Sequence, residues 1–311
     1  MNPGEPRRST RRAVLGASLL LGFGTRRHVR AQATPEASPV ADAGHARPEM
    51  LVDAAWVEDH RDDPAVLVVG LVPAGIFASG AIPGSVQIDW PDLEVTETSD
   101  ASLAEWQAAV EERLTGLGLT RERTVVAYDE GTLFAARLWW VLHYLGHERV
   151  HVLNGGLPAW IAAGHDVATG ESAPVPAETP YLGTAQPEAL AQVPEVEAGI
   201  GDPGTAIIDA RTPDEYAAGH VPGAVNINFP LNAEPDAPKF WKPAEDLKRL
   251  YGEVGVTPEI RVIPYCSTGV RSAVTFFSLR LIGYGEVSLF TGAWAEWSLD
   301  PDRPMTTGDA P

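Results

Sequence analysis

The second half of this chain repeats the first. Gly80-Ala81-Ile82-Pro83-Gly84-Ser85-Val86 aligns with Gly219-His220-Val221-Pro222-Gly223-Ala224-Val225, and Val125-Val126-Ala127-Tyr128-Asp129 aligns with Val262-Ile263-Pro264-Tyr265-Cys266. Leu145-Gly146-His147 matches Ile282-Gly283-Tyr284, and the stretch from Leu153 to Trp160 matches that from Phe290 to Trp297. The matches keep one order and nearly one offset, which marks a tandem duplication of a single unit. This restricts the fold strongly, because whatever one copy forms, the other must form from a diverged sequence. At 311 residues the chain is long enough for two such units, each with its own core.

The unit alternates strands and helices. Ala65 to Val69 is a continuous apolar run, as a strand buried on both faces of a parallel sheet requires. Leu103 to Leu117 carries apolar residues at helical spacing and ends in glycines. Thr124 to Tyr128 is the next strand, and Phe134 to Leu145 the next helix, stopped by Gly146. Val150 to Leu153 is a short strand, and Gly155-Gly156 turns into a helix around Trp160. The pattern restarts with the strand from Thr205 to Ile208, ending at Asp209. A helix follows from Pro213, then the turn 219–224 and a strand from Val225 to Ile227. Such alternation predicts an α/β fold, with a mainly parallel sheet in each copy covered by helices on both faces. The first unit is expected over 48–168 and the second over 190–305, with the proline-rich 169–189 as connection.

The only cysteine, Cys266, lies between a short apolar strand and a helical run from Ser272 to Ile282 that Gly283 stops. Strand, tight loop and helix together aim the N–H groups of Ser267, Thr268, Gly269, Val270 and Arg271 toward one point at a helix N-terminus. That environment favours negative charge, and so the thiolate, the form that attacks. The first copy has Asp129 at this position, so only the second copy can do thiol chemistry. A single cysteine permits no internal disulfide and no multi-cysteine metal site; no metal or other cofactor is expected. Asp209 serves equally well as a cap or as a brace for Arg211. His220 reads as structural, and Trp241 as lining the mouth of a cleft.

Residues 1–33 read as an export signal, with a basic start from Arg7 to Arg12, a short apolar run from Ala13 to Phe23 and a small-x-small cleavage site ending at Ala33. The run is too short to span a bilayer. Thr10-Arg11-Arg12-Ala13-Val14-Leu15 resembles a twin-arginine signal, which implies an exported protein, periplasmic or extracellular, free of the membrane once the signal is removed. Residues 34–47, rich in Ala and Pro, read as a disordered linker. Residues 1–33 hold seven of the 23 basic residues and one of the 42 acidic ones, so the remainder holds 16 against 41 and a formal charge of −25. So acidic a body excludes general binding to nucleic acid or anionic membrane, and an anionic substrate needs a local positive site. A monomer is expected.

The tandem unit, the Gly219-His220-Val221-Pro222-Gly223-Ala224 turn, the Ile208-Asp209-Ala210-Arg211 strand end, the Cys266 loop and the ending Gly292-Ala293-Trp294-Ala295-Glu296-Trp297 resemble the two-domain rhodaneses, thiosulfate sulfurtransferases, of the bacterial branch. The likeness covers roughly residues 50–304. It implies two rhodanese-like domains, the first silent and the second reactive, with the site in the cleft between them. It also implies that Cys266 takes the outer sulfur of thiosulfate as a persulfide and passes it to cyanide or a thiol. Arg211 matches the family's substrate-binding arginine, Arg271 closes the loop, and Ser267, Thr268, Gly269 and Val270 contact the sulfur through their N–H groups. Ser267 and Thr268 stand where vertebrate thiosulfate enzymes have basic residues, so 3-mercaptopyruvate is the alternative donor. Cysteine phosphatases and arsenate reductases use a related loop with five residues between Cys and Arg. Here Cys266 and Arg271 enclose four, a ring that suits sulfur and not phosphate. The alternative of another class is a non-catalytic sulfur carrier.

Overall fold

A computed structural model describes residues 43–311; the expected export signal and most of the expected linker lie outside the described residues. The first copy contains β1 (Leu51–Val52), α1 (Ala54–His60), β2 (Val66–Leu71), α2 (Ala74–Ser79), β3 (Val86–Ile88), α3 (Asp100–Gly116), β4 (Thr124–Tyr128), α4 (Ala135–Tyr144), β5 (Val150–Leu153) and α5 (Gly156–Ala162). Its five strands are all parallel, in the order β1-β5-β4-β2-β3. The second copy contains α6 (Val193–Gly199), β6 (Thr205–Asp209), α7 (Pro213–Ala218), β7 (Val225–Asn226), α8 (Ala244–Gly252), β8 (Arg261–Tyr265), α9 (Val270–Leu281) and α10 (Ala293–Trp297). Its parallel order is β7-β6-β8. Single parallel bridges Val262–Val287 and Leu190–Leu289 continue it where the first copy has β5 and β1. The two sheets therefore share one topology, as the repeat requires.

Why these runs form buried strands is visible in β2. Leu67, Val69 and Leu71 face one core cluster, while Val66 and Val68 face another. Side chains alternate across a strand, so a strand covered on both faces must be apolar throughout. The outer cluster of the first sheet takes Trp56 and Val57 of α1 with Leu157 and Trp160 of α5. That of the second sheet takes Val196 of α6, Tyr216 of α7 and Trp297 of α10. The inner faces of both sheets open into one shared core through α4 and α9. There Trp139 packs against Phe276 and Phe277 at ring centroid separations of 6.4 and 5.1 Å.

Polar contacts also join the two halves. Thr98 gives its N–H and hydroxyl to the buried Glu296 carboxylate, and Trp241 N–H donates to Asn154 Oδ1 at 3.0 Å. Trp241 is thus a largely buried interface residue, with its indole N–H on Ser278 Oγ, and it lines an open pocket between the two copies together with Asn154, Ala159 and Phe240. Residues 43–47, expected to be disordered, are held instead. Ala43 O accepts from Ala244 N–H, and Arg47 N–H donates to Leu281 O. The main-chain partners offered by the second copy outweigh the polar, flexible composition of this short end.

Candidate active site

β8 delivers Cys266 to the centre of the molecule, where it is fully buried. The strand is braced from behind. Tyr265 hydroxyl donates to Asp209 Oδ2 at 2.7 Å and accepts from Val221 N–H at 3.1 Å. Gly269, at φ +87°, then turns the loop into α9, a left-handed conformation that glycine adopts without a Cβ penalty. A Cβ at Gly269 would lie 2.7 Å from Thr291 O, so the close approach also demands glycine. The result is that Gly269 N–H donates to Cys266 Sγ at 3.1 Å, with Ser272 hydroxyl 3.5 Å from the same sulfur. Ser267, Thr268 and Arg271 are half-buried and form the rim.

Arg271 opens the helix after the loop, and hydrogen bonding to Glu215 holds its guanidinium high, against burial, with nearby Cys266 adding to the effect. A second cation comes from the first copy. Arg137, fully buried on α4, donates to Thr291 Oγ1 at 2.9 Å and to Leu93 O at 2.5 Å. Its Nη1 would be 3.3 Å from a Cβ on Gly269, which places it against the Cys266 loop. Burial lowers its pKa to about 10, opposed by the negative charges of Cys266 and Glu94. It stays protonated at neutral pH. Its only signal in the sequence is a single cation inside the apolar run Ala135-Ala136-Arg137-Leu138-Trp139-Trp140.

Arg211 departs from the expectation that it binds the donor. Its buried guanidinium forms a forked bond to Asp209, with Nε at 3.0 Å and Nη2 at 2.6 Å, and Nη2 also donates to Gly219 O at 2.6 Å. Burial opposes its charge, but Asp209 wins and raises the pKa. Trp294, the residue whose N–H bonds Cys266 O, lies under the guanidinium at 4.6 Å. Arg211 thus knits the strand end, the 219–224 turn and Trp294 together behind the loop. The physical reason is local: an arginine two residues after a buried carboxylate finds it before any ligand does. His220 is likewise structural, stacked on Tyr216 at 3.7 Å with Nδ1 on Tyr216 O.

Among the described residues, then, a thiol, an N–H donor on it, a neighbouring hydroxyl and two cations from different halves converge. That arrangement can stabilise a thiolate and a further sulfur attached to it.

The family model described as a rhodanese-like domain matches twice, over 53–163 and 192–300. The thiosulfate sulfurtransferase of Pseudomonas aeruginosa is 35% identical over 265 residues, covering 82% of this chain and 96% of that protein. The sulfur carrier protein TtuD of Thermus thermophilus is 32% identical over 292 residues, covering 86% and 99%. Among solved structures, SseA from Escherichia coli, a 3-mercaptopyruvate sulfotransferase of rhodanese fold, superposes with a TM-score of 0.69 at 28% identity, covering 79% of this chain and 99% of SseA.

Proposed function

Since the chain belongs to the rhodanese family of sulfurtransferases, with two copies of the domain, we propose that its donor is thiosulfate and that Cys266 carries the sulfur. The observation that supports this reading is the Gly269 N–H on Cys266 Sγ within a loop flanked by Arg271 and Arg137. Cys266 thiolate attacks the outer sulfur of thiosulfate; a new S–S bond forms, the S–S bond of thiosulfate breaks, and sulfite leaves with the electron pair. The remaining persulfide is anionic at its outer sulfur, where loop N–H groups and the two guanidinium groups offset the charge. Cyanide or a thiolate then attacks that outer sulfur and releases Cys266 as thiolate. Two steps through a covalent intermediate give ping-pong kinetics.

The four-residue spacing between Cys266 and Arg271 favours a sulfur over a phosphate. A small donor also suits a thiol with no exposed surface. The second reading, a sulfur carrier, rests on the likeness to TtuD. Side-by-side steady-state rates with thiosulfate and 3-mercaptopyruvate test the proposal, together with the intact mass of the chain after each donor. Faster thiocyanate formation from thiosulfate with one added sulfur on Cys266 supports it. A preference for 3-mercaptopyruvate overturns the donor, and one sulfur per chain without turnover makes the protein a carrier. We propose in addition that the chain is exported through residues 1–33, which the N-terminal sequence of the mature protein tests.

A further inference from the structure

The mechanism leaves one charged group at the rim without a task. Glu215 on α7 accepts from Arg271 Nη1 at 2.7 Å through Oε2 and from Nη2 at 2.8 Å through Oε1. Arg271 Nη2 also donates to Ser267 Oγ at 2.6 Å, and that hydroxyl donates to Glu215 Oε1 at 3.2 Å. Glu215 is itself anchored, since Thr212 N–H and hydroxyl donate to Oε2 at 3.1 and 2.9 Å in a capping box. Hydrogen bonding to Arg271 holds its carboxyl far below the usual range, against burial. A forked carboxylate on a guanidinium uses the same two N–H edges that an incoming oxyanion needs.

We infer that Glu215 is a positioning residue for sulfur transfer: it fixes the Arg271 guanidinium beside Cys266 and competes for it with the anionic group of the donor. This deepens the reading of the site as a thiosulfate sulfurtransferase and rests on it. The competition weakens ground-state binding of the donor, while the fixed cation serves the transfer step. Removing the carboxylate charge therefore moves the two kinetic constants in a way that mere damage does not. Damage raises KM as it lowers kcat, whereas release of Arg271 lowers both.

Thiocyanate formation from thiosulfate, measured on the full chain, tests this with wild type, Glu215→Gln, Arg271→Ala and the double variant. Glutamine keeps the length of the side chain and its capping contacts. Glu215→Gln is expected to lower KM for thiosulfate several-fold and kcat by a factor on the order of ten. With Arg271→Ala already present, it is expected to change either constant by no more than about twofold. A rise in KM in the single variant, unchanged constants, or the same effect with and without Arg271 overturns the role. Should Glu215→Gln not fold, Ser267→Ala removes one bond to Arg271; it is expected to lower KM by a smaller factor, and a rise defeats the inference. A wild type that neither makes thiocyanate nor takes sulfur on Cys266 defeats the donor reading instead. An active wild type with an indifferent Glu215→Gln variant defeats only the role of Glu215.

Discussion

The Cys266 loop and the Asp129 loop are the same piece of backbone put to two uses. Each follows a buried central strand, each precedes a helix of the shared core, and each has its first carbonyl capped from the following short helix, by Leu157 N–H at 2.7 Å in the first copy and Trp294 N–H at 2.9 Å in the second. In the first copy the Asp129 carboxylate fills the loop, taking N–H bonds from Gly131 at 2.7 Å, Thr132 at 3.0 Å and Ala135 at 2.9 Å. Burial still pushes its carboxyl up, against the pull of those bonds. In the second copy a smaller sulfur takes the Gly269 N–H, and the positions of Phe134 and Ala135 become Arg271 and Ser272. The silent loop thus shows what the fold offers at this point, a cradle for a negative charge. The second loop puts a thiol where the first has a carboxyl group and adds a cation beside it.

Exchanging the two residues breaks the comparison most severely. Cys266→Asp is expected to abolish thiocyanate formation while leaving the circular dichroism spectrum intact, because the twin loop already folds around a carboxylate. Asp129→Cys on that background is expected not to restore activity, since Phe134 stands in place of Arg271 and Val274 in place of Arg137. Turnover by the exchanged protein defeats the claim that the surrounding cations, and not the loop backbone alone, make the site. Next in size is Arg137→Ala, which withdraws the first copy's contribution. Removing one buried electrostatic donor costs roughly 10²-fold in kcat/KM. Arg137→Lys is expected to recover part of the loss through charge alone. If Arg137→Ala keeps full kcat/KM at unchanged thermal stability, the first domain is only a scaffold.

Asp129→Ala sharpens the comparison through stability. It leaves the buried Ala135 N–H and the half-buried N–H groups of Gly131 and Thr132 without this acceptor, at about 1–3 kcal/mol each where water cannot enter. A loss of about 3 kcal/mol in urea unfolding is expected, with thiosulfate kinetics of the remaining folded protein unchanged. A loss below about 1 kcal/mol means that the silent loop takes up water or rearranges, so it is no longer a guide to its active twin.

Much of this was legible in the residues. The duplicated apolar runs predicted the parallel sheets, and a lone thiol opposite an aspartate pointed to the loop on which the proposal rests, because both follow from period and position alone. Directions of long side chains were not legible. Arg211 and Arg271 each sit near Cys266 in the fold, yet Arg211 turns back to Asp209 while Arg271 is caught by Glu215 from another element. Sequence supplies a charge and a neighbourhood, and the place of the nearest carboxylate in the fold decides where the guanidinium ends. Arg137 was harder still, since a reading that silences the first copy has no cause to look there. A solitary cation within an otherwise apolar helix was the signal, because burying it requires partners on another element.

The smallest expected effect concerns the residue that follows each loop in space. Gly156 and Ala293 occupy equivalent positions at φ +58° and +57°, a region that L side chains avoid. At Gly156 a Cβ would lie 2.5 Å from Asp129 O and 3.0 Å from Asp129 Oδ1. Gly156→Ala therefore adds left-handed strain to a contact with backbone, and a loss of about 1–2 kcal/mol in denaturant unfolding is expected. Ala293→Gly runs the comparison in reverse. It relieves strain of about 1 kcal/mol but gives up a fully buried methyl group worth about 0.8 kcal/mol, so the two terms cancel. Its midpoint is expected to match that of wild type. A clear stabilisation by Ala293→Gly shows that the active loop holds strain which the silent loop has shed. A clear loss shows that the Ala293 methyl packs against the Cys266 loop in a way glycine at 156 does not need to.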